Sequence, residues 1–170
     1  KMNYKKYIFV TVGLIIVFGV VVPNSSFAIQ DVRNSIVKIY AVSIRPDHDN
    51  PWNMKSPQSK SGSGCIIEGN RILTNAHVVA DSSFIQVRLH GHYKKYTAHV
   101  IAIAHEVDLA LLTIDDSSFF DITNPIDLGT LPQMQQDVVV YGFPEGGDTL
   151  STTVGVISRI EHQSYSHSGY

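Results

Sequence analysis

From residue 35 onward the chain is written in short runs of alternating apolar and polar residues, broken by turn residues. Ser35-Ile-Val-Lys-Ile-Tyr-Ala-Val-Ser43 alternates and is β-branched, which predicts a strand. Gly64-Cys-Ile-Ile-Glu-Gly69 and Asn70-Arg-Ile-Leu-Thr74 are two apolar runs meeting at Gly69-Asn70, a tight hairpin turn. Phe84-Ile-Gln-Val-Arg-Leu-His90 alternates cleanly, Gly91-His92 predicts a turn, and Tyr93 to Ile103 returns as the next strand. Val107 to Ile114 is almost continuously apolar, the pattern of a strand buried on both faces. Further strands are expected over Asp137–Phe143 and Thr149–Ile160. Arg45 to Lys60, with three prolines and a tryptophan, reads as a long loop. No amphipathic helix of ten or more residues is predicted; Asn75 to Ala80 has room for one helical turn. Many short strands separated by turn signals predict an all-β barrel or sandwich.

The first 28 residues follow another rule. Lys1, Lys5 and Lys6 precede an uncharged, largely apolar run from Ile8 to Val22, and Ser26-Phe27-Ala28 supplies small residues at a cleavage position. This is the layout of a secretory signal peptide, so the chain is expected to be exported, periplasmic or secreted, with cleavage after Ala28. The alternative is an uncleaved anchor, the one membrane association the sequence offers. As a helix the apolar run would span about 22 Å, against roughly 30 Å of hydrocarbon. Without the leader, 10 basic residues face 15 acidic ones, a net charge of −5. Neither that charge nor the whole-chain −2 supports nucleic-acid binding. The single Cys65 excludes an intrachain disulfide and reads as a small buried hydrophobe. With 44% hydrophobic and 16% charged residues, the chain has the composition of a packed domain rather than a disordered one.

Two segments carry candidate chemistry. Leu73-Thr-Asn-Ala-His-Val-Val79 sets His77 just past a strand, among small and apolar residues that can hold an imidazole rigidly. Val107-Asp-Leu-Ala-Leu-Leu112 places one carboxylate at the head of an apolar strand, where burial demands a hydrogen-bonding partner. A general base needs its tautomer fixed by a group on its other ring nitrogen, and His77 with Asp108 can form such a pair. Taken singly, His77 is also explained as a structural histidine and Asp108 as a turn or capping residue. Three other features admit different chemistry. His90-Gly-His92 would suit a metal, but no third ligand stands at a recognised spacing, so no metal site and no cofactor are expected. Tyr93-Lys-Lys-Tyr96 interleaves cations with aromatic rings, which also describes an ordinary solvated face. A non-catalytic barrel that serves as a binding module accounts for the same strands.

Taken together, Thr74-Asn-Ala-His-Val-Val79 and Asp108-Leu-Ala-Leu-Leu112 resemble the HtrA/Deg branch of the trypsin-like serine proteases. The likeness extends to Ser61-Gly-Ser-Gly64, Leu128-Gly-Thr-Leu-Pro132, Val138-Val-Val-Tyr-Gly-Phe-Pro144, Gly146-Gly-Asp-Thr149 and Thr153-Val-Gly-Val-Ile-Ser-Arg-Ile-Glu161. Pro51-Trp52 and the Gly-Gly-Asp-Thr stretch look most like plant-type Deg enzymes and their bacterial relatives. The resemblance implies two perpendicular six-stranded barrels: a leader over 1–28, a complete first barrel over 29–124 and the start of a second over 125–170. It implies His77 as general base and Asp108 as its orienting carboxylate. It further implies hydrolysis of peptide bonds in unfolded or damaged polypeptides, by a protein that forms homo-oligomers. The family's nucleophile lies in a Gly-Asn-Ser-Gly-Gly motif that these 170 residues do not contain, and Ser164, Ser166 and Ser168 lack that glycine-rich context. On this reading the chain is a fragment without its nucleophilic serine, inactive alone; a degenerate, non-catalytic protein of the same fold is the alternative. Cys65 replaces an aromatic or aliphatic family residue, expected as a volume change in the core.

Overall fold

The computed structural model describes residues 32–47, 49–50, 52–144 and 147–161. The leader and Ser164, Ser166 and Ser168 lie outside the described residues. Among the described residues eight strands follow in order: β1 Ile36–Ser43, β2 Gln58–Ile67, β3 Arg71–Thr74, β4 Ser82–Leu89, β5 Lys95–Ala104, β6 Leu109–Ile114, β7 Asp137–Gly142 and β8 Ser151–Val156. The first six close into an antiparallel barrel in the order β1-β2-β3-β6-β5-β4, and β7 pairs with β8 in a separate two-stranded sheet. One helical turn, α1 Ala76–Val79, leaves the end of β3, where the sequence leaves room for it. No helix among the described residues is long and apolar enough to cross a membrane.

The period of two makes the barrel. Val37, Ile39 and Ala41 of β1, Ile66 of β2, Ile72 of β3, Ile85, Val87 and Leu89 of β4, Ala98 of β5 and Ala110, Leu112 and Ile114 of β6 all point inward and are buried. Phe119, on a 3₁₀ segment Ser117–Ile122, is fully buried in the same core. Tyr96 and Phe120 meet it edge-on, at 4.9 and 5.1 Å between ring centroids. Asp116 starts that segment by accepting a hydrogen bond from the Ser118 amide. Two glycines of β2 keep the interior from overfilling. A Cβ at Gly62 would lie 2.6 Å from a Val78 methyl, and one at Gly64 would lie 3.0 Å from Ile39 and Ile72.

Several local expectations change. β6 is buried on one face only: Ala110, Leu112 and Ile114 alternate with exposed or half-buried Leu109, Leu111 and Thr113, because a barrel strand has one inner face. Val107 is exposed, in the 3₁₀ turn His105–Val107 that precedes β6. The Arg45–Lys60 loop is shorter than its composition suggests. β2 begins at Gln58, opposite Ser43, and Pro46 and Met54 form an antiparallel bridge within the loop. The β2–β3 turn includes Gly69 and Asn70, both left-handed at φ 80 and 55, as the hairpin signal requires. β8 ends at Val156 rather than Ile160. Cys65 is half-buried: it alternates with inward-facing Gly64 and Ile66, so it sits on the outer side of β2 and changes no core volume.

Candidate active site

Asn75 to Val79 turns out of β3 as β6 approaches, because Thr74 pairs with Ala110 and brings the end of β3 beside Asp108. Asp108 closes the His105–Val107 turn in the left-handed region, φ 52, a conformation aspartate adopts more readily than most residues. Its side chain is therefore swung back over the start of α1 and is buried.

Residues 75 to 77 supply donors to Asp108 from both backbone and side chain. His77 Nδ1 lies 2.7 Å from Asp108 Oδ2, and the His77 amide donates to Oδ1 at 2.9 Å. The Asn75 amide donates to Oδ2 at 3.1 Å and to the Asp108 carbonyl at 3.2 Å. The Ala76 amide also donates to that carbonyl, at 3.1 Å. An ionised carboxylate only accepts, so the 2.7 Å contact requires the ring proton on Nδ1. The neutral ring then carries its lone pair on Nε2. The His77 side chain is half exposed while that of Asp108 is 10% exposed, so the carboxylate is sequestered and the base faces outward. Lys60 Nζ donates to the His77 carbonyl at 3.3 Å. The two candidates separated by 31 positions in sequence are thus brought into direct contact.

Two residues outside that expectation frame the site. Ser63 Oγ accepts from the Phe143 amide at 2.7 Å, and the Ser63 carbonyl accepts from Thr74 Oγ1 at 2.9 Å, tying the end of β7 to the strand that delivers His77. In the sequence Asn75 reads as the first residue of a possible helical turn, and nothing in its spacing points at Asp108.

The other candidates fall elsewhere. His90 lies 6.3 Å from the Phe143 ring, and burial together with the charges of Arg33, Arg88 and His92 holds its imidazole below the usual pKa. Among the described residues no three His, Cys, Asp or Glu side chains are grouped to hold a metal. Burial pushes the Cys65 thiol up, which makes it a poor nucleophile. Lys94 pairs with Asp116 at 3.2 Å and stands over Tyr96, while Lys95 stands 3.8 Å over the Tyr40 ring. Lys94, Lys95 and Tyr96 of that segment thus have partners within the protein, while Tyr93 is exposed.

The trypsin-like peptidase domain family matches residues 62–170. The chain is 46% identical over 145 residues to Protease Do-like 4, mitochondrial, of Arabidopsis thaliana, covering 85% of this chain and 28% of that protein. It is 44% identical over 135 residues to a serine protease DegP homolog of Plasmodium falciparum (isolate 3D7), covering 79% of this chain and 16% of that one. Among solved structures it resembles the active form of the Rv3671c protease from M. tuberculosis, with a TM-score of 0.57 and 28% identity over 75% of this chain and 49% of that chain. The chain spans about a quarter of the length of the Arabidopsis relatives Do-like 3 and Do-like 4. Several of those relatives carry the words mitochondrial or chloroplastic in their names, which differs from the export expected of the leader.

Proposed function

The chain belongs to the trypsin-like peptidases, in their Do-like (HtrA/Deg) branch, and from that premise we propose that it supplies two members of a Ser-His-Asp triad. His77 is the general base and acid, and Asp108 is the carboxylate that fixes its tautomer. The observation that carries this reading is the 2.7 Å contact between His77 Nδ1 and a buried Asp108 carboxylate. In peptide hydrolysis a serine hydroxyl attacks the carbonyl while His77 Nε2 takes its proton; the protonated ring then returns that proton to the leaving amine. Asp108 stays ionised throughout and stabilises the imidazolium. The serine and the backbone amides that stabilise the oxyanion are not among these 170 residues. The polypeptide of these residues alone is therefore expected to be inactive; for the chain continued through its serine, the family resemblance supports unfolded polypeptide as the substrate class and a homo-oligomer as the acting form.

The test continues the chain with a segment bearing the family's Gly-Asn-Ser-Gly-Gly motif and follows hydrolysis of unfolded casein. The continued chain is expected to cleave it, the 170-residue chain is not, and His77→Ala and Asp108→Asn are expected to abolish most of the activity. Cleavage by the pure 170-residue chain that is lost on His77→Ala would overturn its inactivity, and full activity of the continued chain carrying His77→Ala would overturn the assignment of the base. A degenerate binding module predicts no turnover in any of these proteins.

We also propose that residues 1–28 direct the chain out of the compartment where it is made. The basic residues before an apolar run, ending in Ser-Phe-Ala, support export with cleavage after Ala28; the names of the relatives favour an organelle. A fluorescent reporter fused behind residues 1–31 is expected to leave the cytosol and lose the leader, and uniform cytosolic signal from an unprocessed fusion would refute it.

A further inference from the structure

Asn75 occupies the residue before α1, where an asparagine ordinarily caps a helix by accepting a hydrogen bond from one of its first amides. Here it does not: the N-cap geometry is extended, but the side chain makes no cap hydrogen bond. Its amide instead faces two oxygens of one residue, Asp108 Oδ2 at 3.1 Å and the Asp108 carbonyl at 3.2 Å. Both are acceptors, so the NH₂ end must be the one that faces them. The contact is therefore fixed by chemistry and is not interchangeable with a flipped amide.

That placement bears on the dyad in two ways. Asp108 Oδ2 is the oxygen that accepts His77 Nδ1, so the Asn75 amide and the imidazole share one acceptor from opposite partners. A second donor on that oxygen favours the ionised carboxylate and restricts its rotation. The bond to the carbonyl, beside the one from the Ala76 amide at 3.1 Å, holds the left-handed backbone of Asp108 that aims the carboxylate at α1. With the His77 amide on Oδ1, the carboxylate is held at both oxygens and cannot turn away from the ring.

We infer that Asn75 is a positioning residue, which locks the carboxylate and the backbone of Asp108 so that the His77 proton stays on Nδ1. The inference rests on the reading of His77 and Asp108 as a catalytic pair, and it acts through Asp108 rather than on any reacting atom. Asn75 is exposed and contributes no apolar packing, so its replacement is expected to leave the barrel intact.

The test is heteronuclear NMR of the 170-residue chain with ¹⁵N-labelled histidine, reading the His77 tautomer and the exchange of its Nδ1 proton with water. In the wild-type chain the Nδ1–H tautomer is expected to dominate, with a slowly exchanging proton. Asn75→Ala is expected to lower that population and to speed exchange at least tenfold. Asn75→Asp has the same shape but replaces the donor with a second carboxylate, and is expected to disturb the ring more at neutral pH. Asn75→Gln, which keeps an amide, is expected to recover part of the wild-type signal. A residue that merely supported the fold would move the backbone amide spectrum without this signature. If Asn75→Ala and Asn75→Asp both fold and keep the wild-type tautomer and exchange rate while Asp108→Asn changes them, the inference about Asn75 fails and the pair stands. If Asp108→Asn itself leaves the ring unchanged, the pairing fails, and the role of Asn75 fails with it.

Discussion

His77 owes its place to its neighbours on either side. Ala76 and Val78 are buried in the barrel and point away from solvent, which turns the side chain between them outward while its backbone amide stays on Asp108. Val78 is packed against the backbone of Gly62, where a Cβ would lie 2.6 and 2.8 Å from its two methyls. Gly62→Ala is therefore expected to overpack this contact and lower stability by about 1–3 kcal/mol, measured by urea unfolding; an unchanged midpoint would show that Val78 moves aside freely. His77 and Asp108 were legible in the sequence because the residues around each form a distinctive motif. Asn75 was not, because its bond depends on the left-handed turn of a residue 33 positions later. Cys65 departs from its expected place in the core for a related reason: in a strand, apolar character does not say which face a side chain takes, and only the register beside Gly64 and Ile66 does.

Between elements, the loop that joins β7 to β8 is pinned to the outside of the barrel by charge. Lys38 of β1 is almost fully buried, and its Nζ donates to the Gly147 carbonyl at 2.6 Å and to Asp148 Oδ1 at 2.8 Å. Arg88, opposite Lys38 on β4, donates to the Asp148 carbonyl and carboxylate at 3.1 and 3.2 Å, and Tyr40 donates to the same carboxylate at 3.2 Å. The hydrogen bond from Lys38, then its charge, holds the Asp148 carboxyl below its ordinary value of 3.8. A carboxyl with a depressed folded pKa contributes stability fully above the unfolded value and loses it as pH falls through the folded one. Thermal scans are thus expected to show Asp148→Asn melting below wild type at pH 7 and the two converging as pH falls below 3.8; equal midpoints at pH 7 would exclude the clasp. The strands were readable at this scale because alternation marks them directly. The single buried face of β6 was not, since its outward Leu109 and Leu111 are as apolar as its inward residues. The early start of β2 was hidden too, because Gln58, Ser59 and Ser61 are polar and exposed and pair only through their backbones.

At the scale of the molecule, one closed barrel carries an imidazole and the carboxylate it contacts on adjoining strand ends, and a two-stranded sheet is joined to it through Ser63 and Asp148. An all-β fold follows from the many short strands, and the closure of six of them into a barrel is what sets the end of β3 beside the head of β6. The sequence could place the two residues in one family but not show that they touch. The most direct measurement is kcat/KM for casein cleavage by the chain continued through a serine-bearing segment, with and without Asp108→Asn. If Asp108 fixes the tautomer of the base, the substitution lowers the rate by about 10⁴-fold. A loss of less than about tenfold, with the fold intact, would contradict the assignment of His77 and Asp108 as a catalytic pair.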